Sequence, residues 1–225
     1  MSIFEISDLK FKYSGNETLV LDIPQLNIKQ GQSIFMYGPS GSGKSTFLEI
    51  LAAVAAPLSG TVKILNQDMS NLSNTEKDQF RSRHIGYIFQ QFNLVPYLSV
   101  EENINLPFLF NKKIRSEKIY SRLVSALNIK NIESKKVNQL SIGQQQRVAA
   151  ARALVFQPEI ILADEPTSAL DYNHRESFIK ILFELSAEQN STLVFVSHDM
   201  TLRSLFNTAL DLTAINKTKT LESEI

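Results

Sequence analysis

The stretch SIFMYGPSGSGKST, residues 33–46, decides the fold. It opens with an almost continuously apolar run, SIFMY, which is typical of a strand buried on both faces. A glycine-rich turn follows, and Phe47, Leu48 and Leu51 then lie on one side of a helix that Pro57 is expected to end. The stretch therefore predicts a buried strand, a glycine-rich loop and a helix in direct succession.

The glycine-rich loop (P-loop) is predicted to bind phosphate groups. Gly38, Gly43, Lys44 and Ser45 fit the pattern G-x-x-x-x-G-K-[ST]. The glycines let backbone N–H groups approach the phosphates, and the helix start adds the positive end of its dipole. Lys44 is expected to bridge the terminal phosphates, and the Ser45 hydroxyl is expected to ligate Mg²⁺. An ordinary glycine-rich turn is the alternative, but it explains neither the buried strand before the pattern nor the apolar-faced helix after it.

Two acids follow a second apolar run in IILADEPT, residues 160–167. A carboxylate at the carboxyl end of a buried strand beside the P-loop strand is suited to serve Mg²⁺, and this role is assigned to Asp164. Glu165 would then face the terminal phosphate and polarise an attacking water. The alternative for Glu165 is a surface carboxylate at a strand end.

Apolar periodicity divides the chain into sheet-forming and helical parts. Residues 3–13 and 20–28 alternate apolar and polar side chains, which favours half-buried antiparallel strands. Residues 92–157 are predicted to be mostly helical, and strand-type runs return at EIILAD and STLVFVSH. We therefore predict one α/β domain over residues 1–225. A parallel core sheet and an antiparallel β subdomain (about 1–91 and 158–225) are interrupted by a helical subdomain (92–157).

Composition and charge argue against several kinds of partner and site. Lys plus Arg number 23, as do Asp plus Glu, so a net charge of zero supplies no overall attraction to nucleic acid or anionic lipid. The absence of cysteine excludes disulfides and thiolate metal sites. The longest apolar stretch, residues 50–58, contains Pro57 and falls short of the ~18 residues that suggest a membrane span. We expect a cytoplasmic protein without a signal peptide, without direct membrane insertion and without a nucleic-acid partner.

The chain resembles the ATP-binding-cassette (ABC) ATPases over nearly its whole length. GPSGSGKST and LADEPT look like the family's Walker A and Walker B motifs. FQQ after GYI matches the Q-loop, LSIGQ the signature loop, SALD the D-loop and VSHD the histidine switch. The resemblance implies a P-loop NTPase fold, ATP and Mg²⁺ as cofactors, and ATP hydrolysis as the activity.

The resemblance also assigns roles to individual residues. It implies that Gln90, Glu165 and His198 form the catalytic set and that Ser45, Gln90 and Asp164 ligate Mg²⁺. The expected ATP contacts are Tyr13, Gly38, Ser40, Gly41, Ser42, Gly43, Lys44, Ser45 and Thr46.

Besides Glu165, three of these residues have alternatives, and for His198 the alternative is a solvent-facing histidine at a strand end. Tyr13 lies where the family stacks an aromatic ring on adenine, but it shares a predicted strand face with Leu9 and Phe11, so packing at a sheet edge stays open. Gln90 and Gln91 are adjacent, and strand alternation would send them to opposite sides, so Gln90 is chosen by its motif position.

A second predicted helix start, in LSIGQQQRVAAARAL (residues 140–154), is explained by the resemblance. In this family two nucleotide-binding domains pair head to tail, and each ATP lies between one P-loop and the partner's signature helix. A helix beginning near Ser141 offers a hydroxyl, N–H groups and a positive dipole end to a phosphate. Ser141-x-x-Gln144 is also a capping box that can seal a helix without any ligand, and the two roles can coexist. The expected contacts in trans are Ser141, Gly143, Gln144 and Asp171.

Ile142 departs from the glycine that is usual in the family's signature loop. A β-branched residue makes positive φ costly, so the backbone at Ile142 should be right-handed or extended. The substitution is expected to reduce flexibility without abolishing the contact with ATP.

The apolar segment FNLVPYLSVEEN, residues 92–103, follows the Q-loop. In the family this region forms a groove that receives a coupling helix from the membrane subunit, and an exposed apolar groove suits a partner. Phe92, Leu94 and Tyr97 are expected to contribute to it, and the alternative is that they belong to the core of the helical subdomain.

The predicted function is ATP-driven pairing with a second copy or a paralogous ATPase subunit, which energises an integral membrane permease at the inner face of the membrane. The alternative is a soluble non-transport ABC ATPase in translation or DNA maintenance, although such relatives typically carry tandem cassettes or coiled-coil inserts. A different P-loop enzyme, such as a kinase, leaves the signature and histidine motifs unexplained. NLVPYLSVEENINLP is similar to ATPases of the lipoprotein-release and macrolide-exporter type, whereas SALD is more typical of amino-acid importers.

Overall fold

The computed structural model describes residues 1–168 and 172–218. The strands are β1 (Ser2–Phe11), β2 (Leu21–Lys29), β3 (Ser33–Tyr37), β4 (Ser59–Ile64), β5 (Gln67–Asp68), β6 (Ile85–Ile88), β7 (Ile160–Asp164), β8 (Thr192–Val196) and β9 (Thr208–Asp211). The α-helices are α1 (Lys44–Leu51), α2 (Asn74–His84), α3 (Val100–Asn105), α4 (Phe108–Asn111), α5 (Glu117–Ala126), α6 (Ile142–Leu154), α7 (Tyr172–Glu188) and α8 (Leu212–Ile215). Among the described helices, none combines the length and apolarity needed to cross a membrane.

The chain forms two compact units, one from Met1–Lys77 with Val196–Ile225 and the other from Asp78–Phe195. These two units differ from the subdomains expected from the sequence, because β6, β7 and most of β8 belong to the second unit together with helices α3 to α7. Between residues 92 and 157 the named elements are helices, as the periodicity predicts.

The first unit contains an antiparallel sheet in the order β2-β1-β4-β5, which confirms the predicted antiparallel pairing. Leu9 of β1 pairs with Ile23 of β2, and both are buried. The alternation in β1 is interrupted at Asp8, which has φ 51° and lies where the register with β4 shifts. A Cβ at Gly60 would lie 2.2 Å from the Asp8 carbonyl oxygen, so this bulge requires glycine opposite it.

The first unit also holds the strand that leads to the P-loop. β3 pairs in parallel with β9, and the Ser197 N–H, directly after β8, donates to the Met36 carbonyl oxygen at 3.2 Å. The three central residues of β3 are buried, as its apolar run predicts: Ile34, Phe35 and Met36.

Helix α1 ends at Leu51, six residues before Pro57 (57 − 51), so the prediction that the proline ends it was wrong. The helix is closed by a Schellman motif. The Ala53 N–H donates to the Ile50 carbonyl oxygen and the Val54 N–H to the Glu49 carbonyl oxygen, both at 2.9 Å. Ala53 takes the left-handed conformation, with φ 53°, that glycine usually supplies at this position, which is why the sequence carries no glycine signal for this helix end.

In the second unit, β6, β7 and β8 are neighbours in that order, and β6 pairs in parallel with β7. The strand residues Ile160, Ile161, Leu162 and Ala163 are fully buried, as predicted for the run before the two acids. The predicted parallel sheet is therefore confirmed along with the antiparallel one.

Asn103 of α3 anchors the loop that precedes this helix. Its side chain is fully buried, its Oδ1 accepts from the Val95 N–H at 2.8 Å, and its Nδ2 donates to the Val95 and Ser99 carbonyl oxygens at 3.0 Å each. The amide thus pairs the Val95 N–H, and it gives a second donor to the Val95 and Ser99 carbonyl oxygens, which also accept from the Leu98 and Asn103 N–H groups.

We predict that Asn103→Ala lowers the free energy of unfolding by about 2–4 kcal/mol, because it leaves the partly buried Val95 N–H without its partner and removes the hydrogen bonds to the Val95 and Ser99 carbonyl oxygens. Urea unfolding followed by circular dichroism measures the change. Asn105→Ala in the same helix is the control, since the Asn105 Oδ1 is buried without a hydrogen-bond partner among the described residues. Equal losses in the two variants would contradict this account.

Candidate functional site

The P-loop in the first unit turns the chain from β3 into α1. Gly41 and Gly43 have φ 79° and 93°, in the region that favours glycine. Gly43 is the N-cap of α1 and provides no side-chain cap, so the first N–H groups of the helix are not sealed by the residue before it. The predicted phosphate contacts Ser40, Gly41 and Ser45 are exposed.

Close packing explains the first glycine of the motif. A Cβ at Gly38 would lie 2.7 Å from the Ser42 Oγ, and that Oγ is buried without a hydrogen-bond partner among the described residues. A side chain at position 38 would therefore push the Ser42 hydroxyl out of its place in the loop.

The ammonium group of Lys44 closes the loop on itself. Its Nζ donates to the carbonyl oxygens of Gly38 and Pro39, at 2.9 Å each. Both acceptors are neutral, and a phosphate oxygen is a stronger acceptor for a charged donor. These two hydrogen bonds hold the Lys44 ammonium group at the backbone of the loop, where a phosphate would approach.

Tyr13 is joined to the start of α1. Its hydroxyl and the Thr46 Oγ1 are 2.7 Å apart, and its ring meets Phe11 edge to face with the centroids 5.1 Å apart. β1 ends at Phe11, so Tyr13 lies beyond the strand face on which it was predicted. Both roles stay open, because the ring packs on Phe11 and is still 43% exposed. Thr46 itself is buried, and His198, two residues beyond the end of β8, is exposed.

In the second unit, Asp164 is the last residue of β7 and Glu165 follows in a turn, with both side chains half-buried. Glu165 has φ 46° and stands directly before Pro166. A left-handed residue that is not glycine costs about 1–3 kcal/mol, and a following proline further favours the extended conformation. The Ser168 N–H closes the turn by donating to the Glu165 carbonyl oxygen at 3.1 Å.

Helix α6 begins where predicted, with Ser141 as its N-cap. The Ser141 Oγ accepts from the Gln144 N–H at 3.3 Å, and the Gln144 Oε1 accepts from the Ser141 N–H at 3.0 Å. Ile142 is helical and 55% exposed, which is the right-handed form of the two backbone conformations predicted, right-handed or extended. Gly143 lies beside it in the first turn, whereas Asp171, the fourth predicted contact in trans, falls outside the described residues.

The Q-loop segment differs from the sequence-based picture. β6 ends at Ile88, and Gln90 and Gln91 are both exposed in a turn, so the argument from strand alternation does not apply to them. The residue after them, Phe92, is only 8% exposed and has φ 56°. Arg152 of α6 donates to its carbonyl oxygen at 2.6 Å. Burial lowers the pKa of Arg152.

The expected partner groove is only partly at the surface. Phe92 offers little area to a partner, Leu94 is half-buried, and Tyr97 is 73% exposed. The segment after α3 also exposes apolar side chains, which the sequence analysis did not predict. Helix α4 buries its asparagine, Asn111, and presents Leu109 and Phe110 to solvent. Helical periodicity missed this exposure because a four-residue helix is too short to show it.

Sequence reasoning also missed Gln146. This residue of α6 is 1% exposed, and its Nε2 donates to the Pro166 carbonyl oxygen at 2.6 Å. A signal was available, because Gln146 shares a helical face with the buried residues Ala149, Ala150 and Ala153.

Comparisons with known proteins agree on the family. A family model described as ABC transporter matches residues 21–168. The chain is 44% identical over 181 residues to the uncharacterized ABC transporter ATP-binding protein MJ0796 of Methanocaldococcus jannaschii, covering 78% of this chain and 77% of the relative. It is 39% identical over 211 residues to the lipoprotein-releasing system ATP-binding protein LolD 1 of Rhodopirellula baltica, covering 92% of each.

A solved structure extends the agreement to the fold. The dimeric structure of a post-hydrolysis state of the ATP-binding cassette MJ0796, bound to ADP and Pi, matches with a TM-score of 0.83 and 37% identity, covering 92% of this chain and 93% of that one. With the glycine-rich loop, the capped signature helix and the two acids at the end of β7 in the family's order, the chain belongs to the ABC transporter family as one of its ATP-binding cassettes.

Proposed function

We propose that this chain binds and hydrolyses ATP as the energising subunit of a membrane ABC transporter, and that ATP drives two copies together. The observation that carries the proposal is the likeness, over nine-tenths of the chain, to a cassette that was solved as a dimer with ADP and Pi. LolD 1, whose name places it in a lipoprotein-releasing system, supports a role beside a membrane permease.

In the proposed nucleotide complex, phosphate oxygens replace the Gly38 and Pro39 carbonyl oxygens as acceptors for Lys44. The N–H groups at the start of α1 donate to the same phosphates, and Tyr13 contacts the adenine. Ser45, Gln90 and Asp164 would supply hydroxyl, amide and carboxylate oxygens, the ligand types that Mg²⁺ prefers. Bound there, Mg²⁺ would neutralise charge on the phosphates.

In the proposed hydrolysis step, the Glu165 carboxylate accepts a proton from the attacking water, and Gln90 and His198 orient the water and the terminal phosphate. Holding these groups in place before the reaction lowers the entropic part of the barrier. The left-handed backbone of Glu165 supports a catalytic role, since strained backbone conformations cluster at functional sites.

The signature helix is proposed to act on the nucleotide of the second copy through Ser141, Gly143, Gln144 and Asp171. The capping geometry suits this second role. The Ser141 Oγ accepts a hydrogen bond from the Gln144 N–H, and its own O–H remains able to donate to a phosphate oxygen. Sealing the helix and binding a nucleotide therefore use different hydrogen-bonding capacities of one hydroxyl.

The proposed location is the inner face of the membrane, reached through an integral membrane permease. Tyr97 and Leu94 supply apolar surface for a permease segment, and Phe92, which is largely buried, contributes little area. The paired subunit is a second copy of this chain or a paralogous ATPase.

The first test of this function is ATP-dependent pairing. Glu165→Gln should reduce hydrolysis by roughly 100-fold or more, because it removes the proposed base, and it should trap a dimer in ATP that light scattering detects after gel filtration. Adding Ser141→Ala should weaken that dimer by roughly 10-fold, since a hydrogen bond to a charged group is lost. A Glu165→Gln protein that remained monomeric at saturating ATP would contradict the proposal.

Tyr13 offers a separate test of nucleotide binding. Tyr13→Phe keeps the ring and loses the hydrogen bond to Thr46, so ATP affinity measured by titration calorimetry should fall roughly 2- to 10-fold. Tyr13→Ala also removes stacking and should cost a further factor of roughly 10. Tyr97→Phe, at an exposed tyrosine of the other unit, is the control and should leave the affinity unchanged. Equal affinities for wild type and Tyr13→Ala would rule out the adenine contact.

Ile142→Gly tests the departure from the family's usual glycine. Because Ile142 is already helical, glycine there should lower the stability of the helix start by at most about 1 kcal/mol and change the steady-state ATPase rate by less than roughly 10-fold. A hundredfold rise in the rate would show that isoleucine restrains the site in a way that its backbone geometry does not explain.

A further inference from the structure

Gln146 is a buried polar residue on the signature helix that the function described so far does not use. Its Nε2 donates to the Pro166 carbonyl oxygen at 2.6 Å, while its Oε1 is buried without a hydrogen-bond partner among the described residues. Leaving a buried oxygen unpaired is unfavourable, and an apolar side chain of similar size would avoid the cost. The donated hydrogen bond is therefore the feature that a glutamine supplies here and a leucine would not.

The accepting carbonyl belongs to the turn that carries Glu165. Glu165 is left-handed, with φ 46°, and directly precedes Pro166, two conditions that oppose each other. Strain of this kind persists only where the surroundings hold it. The Ser168 N–H closes the turn internally, Pro166 and Thr167 are buried, and the Gln146 amide ties the turn to α6.

We propose that Gln146 is a positioning residue for the hydrolysis step, which holds the Glu165 turn in its left-handed conformation from the side of α6. The inference rests on the proposed function, because it assigns Glu165 the role of general base. The inference also connects the two nucleotide sites. Helix α6 begins at Ser141, which is proposed to contact the partner's nucleotide, and the same helix holds the turn that carries Glu165 of this copy. The two nucleotides of a dimer are then linked through one rigid helix in each copy.

A matched pair of variants separates positioning from mere stability. Gln146→Leu removes the hydrogen bond to Pro166, which follows β7. Ser191→Ala removes an equally buried hydrogen bond, from the Ser191 Oγ to the Pro158 carbonyl oxygen at 2.5 Å, which precedes the same strand. Steady-state ATPase kinetics are measured for both, with the folded fraction determined by circular dichroism.

We expect Gln146→Leu to lower kcat by roughly 10- to 100-fold, because a small displacement of the base is costly, and to change KM by less than 2-fold, because the P-loop is untouched. Ser191→Ala should leave both constants within 2-fold once corrected for folded protein. Parallel losses in the two variants, or an unchanged kcat in Gln146→Leu, would overturn the proposal.

A second variant keeps the test decisive if the Gln146→Leu protein does not fold. Gln146→Glu keeps the size, and burial raises the pKa of a carboxyl group. The protonated acid can donate to the Pro166 carbonyl oxygen and the ionised acid cannot. Its kcat relative to wild type should therefore be highest at about pH 6 and fall several-fold by about pH 8.5. If the ratio of the Gln146→Glu kcat to the wild-type kcat did not vary with pH, the positioning role of Gln146 would be contradicted.

Failure of this inference is distinguishable from failure of the proposed function. In the Glu165→Gln background, Gln146→Leu should leave ATP-dependent dimer formation intact and cause no further loss of hydrolysis, since the two residues act as one unit. If wild type itself neither hydrolyses ATP nor pairs in ATP, the proposed function is wrong. If wild type does both and only the Gln146 expectations fail, the function stands and the positioning role is rejected.

Discussion

The first unit depends on one steric constraint, the absence of a side chain at Gly38. The Ser42 hydroxyl occupies the space that a Cβ at this position would need, at 2.7 Å, so the chain can leave β3 and enter α1 within a few residues. That tight turn allows Lys44 to reach back to the Gly38 and Pro39 carbonyl oxygens and places Thr46 beside Tyr13. β3 is held in turn by β9 and by the Ser197 N–H, so the loop stands on a strand that is paired along its length.

Much of this arrangement could be predicted from the sequence, because apolar runs and periodicity report which faces of an element are buried. They predicted β3, β7 and β8, the glycine pattern located the loop between β3 and α1, and the pattern Ser141-x-x-Gln144 located the start of α6. The features that sequence reasoning missed arise where tertiary contacts override local preference. Ala53 ends α1 in a conformation that glycine usually takes, and Gln90 lies in a turn because β6 stops at Ile88. Phe92 is buried with its carbonyl oxygen bound by a distant arginine, and no local pattern encodes such a partner.

Helix α6 shows how one element can serve several purposes without conflict. Its N-terminus is sealed by the reciprocal hydrogen bonds of Ser141 and Gln144, so the helix needs no ligand to be stable. The isoleucine at position 142 fits this arrangement, because the position is helical and gains nothing from the freedom of glycine. Further along, Arg152 holds the backbone at Phe92 and Asn93, and Gln146 holds the backbone at Pro166. The helix thus organises both the segment after the Q-loop and the segment after the two acids.

The tie between Tyr13 and Thr46 has an optical consequence. The chain contains no tryptophan and six tyrosines, so its intrinsic ultraviolet emission comes from phenol rings alone. One of those rings is partly exposed and is fastened by its hydroxyl to the helix that follows the P-loop. In the proposed adenine contact, a nucleotide bound at that loop replaces water around this ring with an aromatic base and disturbs the hydrogen bond to Thr46. With that contact, the native protein would carry its own unlabelled reporter of nucleotide binding, and a tryptophan placed at this position would emit without background from any other indole.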